Sequence, residues 1–214
     1  MTSAAHPRDA YDQTRLPLVL RWAVQLGVVE ALLVLAFSVG SRFLEGPLEL
    51  VVLSLIVIVG LAVVTLLPGF WTRPRTIEGI AGAAGIGLGA AVVFLVIDVV
   101  ALRWIGTYTN RWLAIGGGSN WWWHPVWWMV GTYIPWMGAF ALSNQTARTG
   151  APAPAAVFVT AVVLALGLGG IAAAIGFPGA AISLPTFAIA YLPALALTVV
   201  ITGRGGRGHG GRPG

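Results

Sequence analysis

Long apolar stretches separated by short polar breaks occupy most of this 214-residue chain. A helix needs about 20 mainly apolar residues to cross the hydrocarbon core of a bilayer, and the stretches have about this length. The pattern therefore predicts an all-α integral membrane protein with a six-helix transmembrane bundle. The predicted helices cover residues 17–40, 50–67, 79–102, 125–142, 155–176 and 180–202.

Proline and glycine mark several of the breaks between these stretches. Pro68, followed by Gly69, is expected to end the second helix, because proline lacks the N–H group that continues a helical ladder. A Phe-Pro-Gly turn at residues 177–179 separates the last two helices. The fourth predicted helix is short and contains Pro135, so its assignment depends on the distribution of charge.

The arginines favour six crossings and predict an orientation. Cytoplasmic segments of membrane proteins carry an excess of basic residues. With six helices, eight arginines share the side of both termini and three lie opposite, whereas five crossings would leave four on the side of the N-terminus and seven opposite. We therefore predict an N-in/C-in topology with the Trp-rich loop between helices three and four on the outer, periplasmic side. The eight are Arg8, Arg15, Arg73, Arg75, Arg148, Arg204, Arg207 and Arg212, and the three are Arg42, Arg103 and Arg111.

This topology divides the chain into three parts. Residues 1–16 are polar and are expected to form a cytoplasmic N-terminal segment without a cleavable signal. Residues 17–202 form the six-helix transmembrane domain. Residues 203–214 form a Gly/Arg-rich cytoplasmic tail, which has no apolar side chains to bury and is suited to anionic lipid headgroups or a partner.

The composition excludes several classes of protein. Only 9% of the residues are charged, 57% are hydrophobic and the mean hydropathy is +0.87, whereas soluble domains carry roughly 25% charged residues. The net charge of +5 comes from arginines at helix ends, so membrane orientation explains it and no nucleic acid partner is expected. All twelve basic residues are arginine, a bias typical of a GC-rich bacterial genome, and we expect a bacterial cytoplasmic (inner) membrane. The absence of cysteine excludes disulfides, thiolate catalysis and Cys-ligated metals.

Two carboxylates are candidate buried polar residues. Glu30 lies near the middle of the first helix, where a carboxylate is costly to bury. It is either a proton or cation site, or a neutral side chain that is hydrogen-bonded to a neighbouring helix or subunit. Asp98 lies near the outer end of the third helix, with Arg103 and Arg111 following and Arg42 on the adjacent outer loop, so a boundary ion pair is favoured over a substrate or metal role. We expect no metal site.

The most distinctive segment is a tryptophan cluster, in which six of the ten tryptophans fall between residues 121 and 136. Tryptophan is enriched at membrane interfaces, so an aromatic girdle is the simpler interpretation. The density of rings also fits a loop that covers a lipid, a quinone, a (bacterio)chlorophyll-type pigment or a partner subunit. His124 is either a ligand to such a pigment's metal or an interfacial side chain. The candidate contact residues are His124, Trp121, Trp122, Trp123, Trp127 and Trp128.

Small residues at helical spacing predict two packing faces. The third helix carries Gly85 and Gly89, and the fifth carries Gly169 and Ala173. Small residues four positions apart allow helix backbones to approach closely in a membrane. We expect these faces to pack within the bundle or against a partner.

The leading functional hypothesis is a non-catalytic accessory subunit of a multi-subunit bacterial membrane complex. Neither a nucleophile–base pair nor a paired mid-membrane carboxylate is apparent, so the chain is not expected to be an enzyme. The subunit would stabilise neighbouring subunits, lipids or pigments, for example in a respiratory or photosynthetic assembly. The alternative is a small-solute transporter or substrate-binding component with an outward-facing aromatic pocket.

Overall fold

The computed structural model describes residues 13–109 and 123–204, with side chains in the second part from residue 126 onward. Within these ranges the chain forms six α-helices and no strand. They are α1 (Leu16–Phe43), α2 (Gly46–Thr72), α3 (Ile77–Ile97), α4 (Trp123–Thr149), α5 (Pro154–Ala174) and α6 (Leu184–Gly203).

Five of the six helices are long and apolar enough to cross a membrane, which indicates a multi-pass membrane protein. The exception is α4, whose tryptophans and prolines are less apolar than the Leu, Val and Ala of the other helices. It contains no acidic residue, and its single basic residue, Arg148, lies in the last turn. Its 27 residues extend over about 40 Å at about 1.5 Å per residue, more than the roughly 30 Å of a hydrocarbon core.

Consecutive helices run in opposite directions. Gly27 of α1 lies against Ala90 of α3, and Ala31 packs with Phe94, so α1 and α3 are parallel. The contacts between the other helices show that α2, α4 and α6 run in the direction opposite to α1 and α3. Helix α5 is antiparallel to α6 and therefore runs in the same direction as α1 and α3. The bundle therefore has an arginine-rich end, where Arg15, Arg73, Arg75, Arg148 and Arg204 lie, and an opposite end that contains Asp98.

The second helix does not end where the sequence predicted, because α2 continues through Pro68 to Thr72. Proline removes one N–H donor, but it does not prevent the following residues from forming their own bonds. The Thr72 hydroxyl donates to the Pro68 carbonyl at 3.0 Å, and Pro68 itself is buried. The helix ends instead at Arg73, which adopts a left-handed conformation with φ of 47° and donates its N–H to the Gly69 carbonyl.

The centre of the bundle is formed by α3, which packs against α1 on one side and α4 on the other. At the contact with α4, a Cβ atom on Gly87 would collide with the Gly131 carbonyl oxygen. A similar approach joins α2 to α4, since a Cβ on Gly138 would collide with the Thr65 carbonyl oxygen. The hydrophobic effect does not favour helix association inside a bilayer. The close contacts at Gly87 and Gly138 stabilise the bundle through dispersion interactions instead.

The last two helices form a second packing unit against α4. Tyr191 of α6 is fully buried, with Ala161 and Ala165 of α5 in the same apolar cluster. Ile134 of α4 completes this cluster. The small alanines of α5 leave room for the large ring of Tyr191, which explains why the two helices fit together.

Candidate functional site

A buried carboxylate and its hydrogen-bond partners lie where α3 ends. After Ile97 the helix widens into a π-helical turn, Asp98–Leu102, in which the Arg103 N–H donates to the Asp98 carbonyl at 3.0 Å. Wide turns of this kind are uncommon and frequently lie at functional sites, because they change the direction in which side chains point. Here the turn coincides with the buried carboxylate that the sequence analysis selected.

Both oxygens of the Asp98 carboxylate have partners. The Tyr108 hydroxyl donates to Oδ1 at 2.5 Å, and the Arg103 Nε lies 3.5 Å from Oδ2. The boundary ion pair expected from the sequence is therefore present, with Arg103 as its cation. Asp98 itself is buried, whereas the Arg103 side chain is 41% exposed, so solvent weakens the pair.

The chain that follows α3 is fastened to the end of α1. The Ser38 hydroxyl donates to the Thr107 carbonyl at 2.6 Å, and the Arg42 guanidinium donates to the Gly106 carbonyl. These bonds join positions far apart in the sequence and hold residues 103–109 across the end of the bundle. The Thr107 hydroxyl oxygen is buried and has no hydrogen-bond partner among the described residues. A buried hydroxyl of this kind needs a partner, such as a water molecule or a ligand group.

The Tyr108 phenol is held in its neutral form. Burial raises the pKa of Tyr108 above its ordinary value, the hydrogen bond and negative charge of Asp98 raise it further, and the charge of Arg103 lowers it. The phenol therefore keeps its proton and serves as a donor to the carboxylate. The junction of Asp98, Tyr108 and Thr107, hereafter the Asp98 junction, can position a polar group through the buried Thr107 hydroxyl.

The described part of the tryptophan segment, residues 123–136, lies in the first half of α4. Trp127 and Trp128 are exposed, and the Trp127 ring lies 5.9 Å from that of Phe94 on α3. Trp121 and Trp122 lie outside the described residues, as do the side chains of Trp123 and His124, which are in the first turn of α4. The ligand contacts proposed for these four side chains stay predictions.

Glu30 is directed toward the interior of the bundle. Gly27, three residues earlier, lies against α3, and Leu33, three residues later, lies beside Gly60 of α2. At about 100° per residue, Glu30 points between these two contacts and therefore between α2 and α3. Its side chain is half-buried, and the described part of the chain gives it no hydrogen bond. The neighbouring-helix partner considered from the sequence is thus not among the described residues.

The four predicted packing residues occupy different environments. Gly89 is close to α1, since a Cβ atom there would lie 2.7 Å from the Ala23 Cβ. Gly85 is exposed, and its Cβ would meet only Val19 at 3.9 Å, so the tight approach expected there lies instead at Gly87. Gly169 is buried against α6 at ordinary van der Waals distance, and Ala173 is half-buried.

Sequence reasoning did not select two polar contacts that together connect three helices. The Thr65 hydroxyl of α2 lies 2.9 Å from the Tyr191 hydroxyl of α6, and the Tyr133 hydroxyl of α4 donates to the Leu192 carbonyl at 2.9 Å. A tyrosine in an otherwise apolar membrane helix signals that its hydroxyl needs a partner. This signal was present at Tyr191, but nothing in the sequence identified Thr65 as that partner.

The described residues contain no group of three or more His, Asp or Glu side chains that could hold a metal ion. The chain matches no protein family model, and no characterised protein or solved structure is significantly similar to it.

Proposed function

We propose that the chain is a non-catalytic accessory subunit that binds and stabilises neighbouring subunits of a larger bacterial membrane complex. The observation that carries this proposal is a groove that two exposed glycines leave on the outward face of α5, with none of the described residues over it. Gly167 and Gly170 are exposed, and a Cβ atom on either would meet no neighbouring atom within 4 Å. Val163 and Ala174 are exposed on the same face, within about 60° of the two glycines at about 100° per residue.

A groove of this kind is suited to another helix. Lipid chains and side chains are equally apolar, so close backbone approach, rather than apolarity, favours helix association in a bilayer. The opposite face of α5 already uses Ala161 and Ala165 to pack with α6. The helix therefore has small residues on two faces, and the described residues cover only one of them.

The second helix adds a further free surface. Leu55, Ile58 and Val59 of α2 are exposed on one side of the helix. Lipid chains alone would cover this apolar surface. A subunit that lies between neighbouring subunits, however, also needs several apolar faces that its own helices leave uncovered. We take α2 and α5 as the contact faces of the proposed assembly.

The proposed topology has six crossings, with the arginine-rich end in the cytoplasm and the tryptophan segment on the outer side. Its support is the alternation of helix direction, which places Arg15, Arg73, Arg75, Arg148 and Arg204 together at one end. Under this topology α4 is the fourth crossing, and the tryptophans near its start lie at the outer interface, where their N–H groups reach polar partners.

A small-solute transporter or substrate-binding component is the second candidate, favoured by the Asp98 junction. The Thr107 hydroxyl, which is buried and has no hydrogen-bond partner among the described residues, would hold the polar part of a solute, and the exposed Trp127 and Trp128 would supply aromatic rings. Glu30, which points between α2 and α3 without a hydrogen bond among the described residues, would then act as the buried switch.

Native mass spectrometry after gentle detergent extraction from the native membrane separates these candidates. The accessory-subunit proposal expects other membrane chains in fixed stoichiometry, together with bound lipid or pigment; an absorption spectrum of the same sample detects the pigment. A monomer without partner chains, whose tryptophan fluorescence is quenched by a solute, would instead favour the transporter.

A further inference from the structure

A cavity of about 230 Å³ opens at the arginine-rich end, between the end of α2 and the last turns of α4. Its lining includes Gly69, Phe70, Arg73, Arg75 and Leu142. The volume is smaller than the roughly 300–1,000 Å³ of pockets for drug-sized ligands, and it suits a fragment such as a headgroup. The cavity lies at the opposite end of the bundle from the Asp98 junction.

The cavity combines positive charge with an apolar floor. Arg73 and Arg75 line it, and none of the described residues that line it is acidic. Phe70 and Leu142 provide the apolar part, and Phe70 is 46% exposed, so the floor continues onto the outer surface of the bundle. A free anion would use only the arginines, whereas a lipid would use both parts.

Neighbouring residues place the cavity at headgroup depth. The Trp22 ring of α1 stacks on the Trp71 ring of α2, with centroids 5.8 Å apart and planes 7° from parallel. Tryptophan is enriched at the boundary between headgroups and hydrocarbon. Trp71 is adjacent in sequence to Phe70, and Arg73 follows two residues later, beyond the end of the spanning helix.

We propose that this cavity binds the phosphate group of an anionic phospholipid, with Arg73 and Arg75 at the phosphate and the acyl chains along Phe70. Basic pockets between membrane helices favour anionic headgroups, and each nearby arginine adds about 1 kcal/mol of attraction, which corresponds to roughly a fivefold change in affinity. The proposal does not depend on which leaflet the arginine-rich end faces or on the accessory-subunit role.

The test measures lipid retention by native mass spectrometry of the full chain, delipidated and titrated with phosphatidylglycerol or phosphatidylcholine. We expect preferential retention of phosphatidylglycerol, reduced roughly 25-fold in Arg73→Asn/Arg75→Gln. Asparagine tolerates the left-handed conformation at residue 73, so the variant changes charge with little backbone strain. Arg73→Lys/Arg75→Lys is expected to restore most of the preference.

The matched control is Arg15→Gln/Arg21→Gln, which removes two positive charges near the same end from residues that do not line the cavity. It is expected to keep the preference for phosphatidylglycerol. Equal retention of the two lipids by the unaltered protein would overturn the proposal, as would equal losses in the two double variants. Displacement of the lipid by millimolar inorganic phosphate would identify the ligand as a free anion instead.

Discussion

Gly169 and Gly170 are adjacent on α5 but face different surroundings: Gly169 is buried with Thr186 and Ala190 of α6 within 4 Å of its Cβ position, whereas Gly170 has no neighbour within that distance. One residue changes direction by about 100° on a helix, so the pair separates an internal contact from an outward surface. This relationship allows the fold and the proposed assembly to be tested independently.

Substitution of Gly170 by leucine is expected to break the assembly without unfolding the chain. Gly170→Leu fills the groove on α5, so partner chains should be lost from the native mass spectrum while the thermal stability of the isolated protein is unchanged. Gly169→Leu should instead lower stability by about 1–3 kcal/mol, because the longer side chain meets α6. Retention of all partner chains by Gly170→Leu would contradict the proposed contact face.

A second pair of glycines tests the packing of α3. Gly87→Ala is expected to destabilise the protein by about 1–3 kcal/mol, because the new methyl group collides with the Gly131 carbonyl. Gly85→Ala is the control and should be neutral or slightly stabilising, since its Cβ has space and alanine favours helices. Thermal unfolding in mild detergent measures both. Equal changes in unfolding temperature for Gly87→Ala and Gly85→Ala would contradict the close contact between α3 and α4 at Gly87.

The polar contact between α2 and α6 is testable by a double-mutant cycle. Thr65→Val and Tyr191→Phe each remove one hydroxyl of the pair and keep much of the packing. Hydrogen bonds between membrane helices contribute on average about 0.6 kcal/mol, and we expect a coupling energy of this size from the unfolding free energies. Strictly additive effects would mean that the two hydroxyls do not stabilise each other.

Tyr108 predicts a loss of stability at alkaline pH. Its pKa in the folded protein is raised above its ordinary value of about 10, chiefly by burial. The stability it contributes is therefore fully present below about pH 10 and is lost as the pH rises through the folded pKa. We expect Tyr108→Phe to be less stable at neutral pH, because the bond to Asp98 is lost. The difference in melting temperature from the unaltered protein should narrow above about pH 10, and a constant difference would contradict the assigned environment.

The sequence predicted all six helices, since long apolar stretches depend only on local composition. It misplaced the end of α2, because tertiary packing and the remaining backbone bonds carry the helix through Pro68. The start of α6 was also placed too early, as the helix begins at Leu184, after the Ser183 side chain accepts a hydrogen bond from the Thr186 N–H. Such boundaries depend on caps and contacts that hydropathy does not record.

The candidate site was predictable only in part. The sequence predicted a boundary ion pair for Asp98 and left Arg42, Arg103 and Arg111 open as its cation; among the described residues, Arg103 makes the pair. Thr65 and Tyr191 lie 126 residues apart, and their contact depends on how α2 and α6 pack. The glycines of α3 illustrate the same limit, since spacing identifies a face of small residues but not which glycine touches a neighbouring backbone.

Labelling of single cysteines in intact cells tests the six-crossing topology most directly, because the chain contains no native cysteine. Membrane-impermeant maleimide should label Ser119→Cys and Ser183→Cys from outside, whereas Thr149→Cys should react only after permeabilisation. Labelling of residues 119 and 149 from the same side would show that α4 does not cross the membrane, and would contradict both the topology and the outer position of the tryptophan segment.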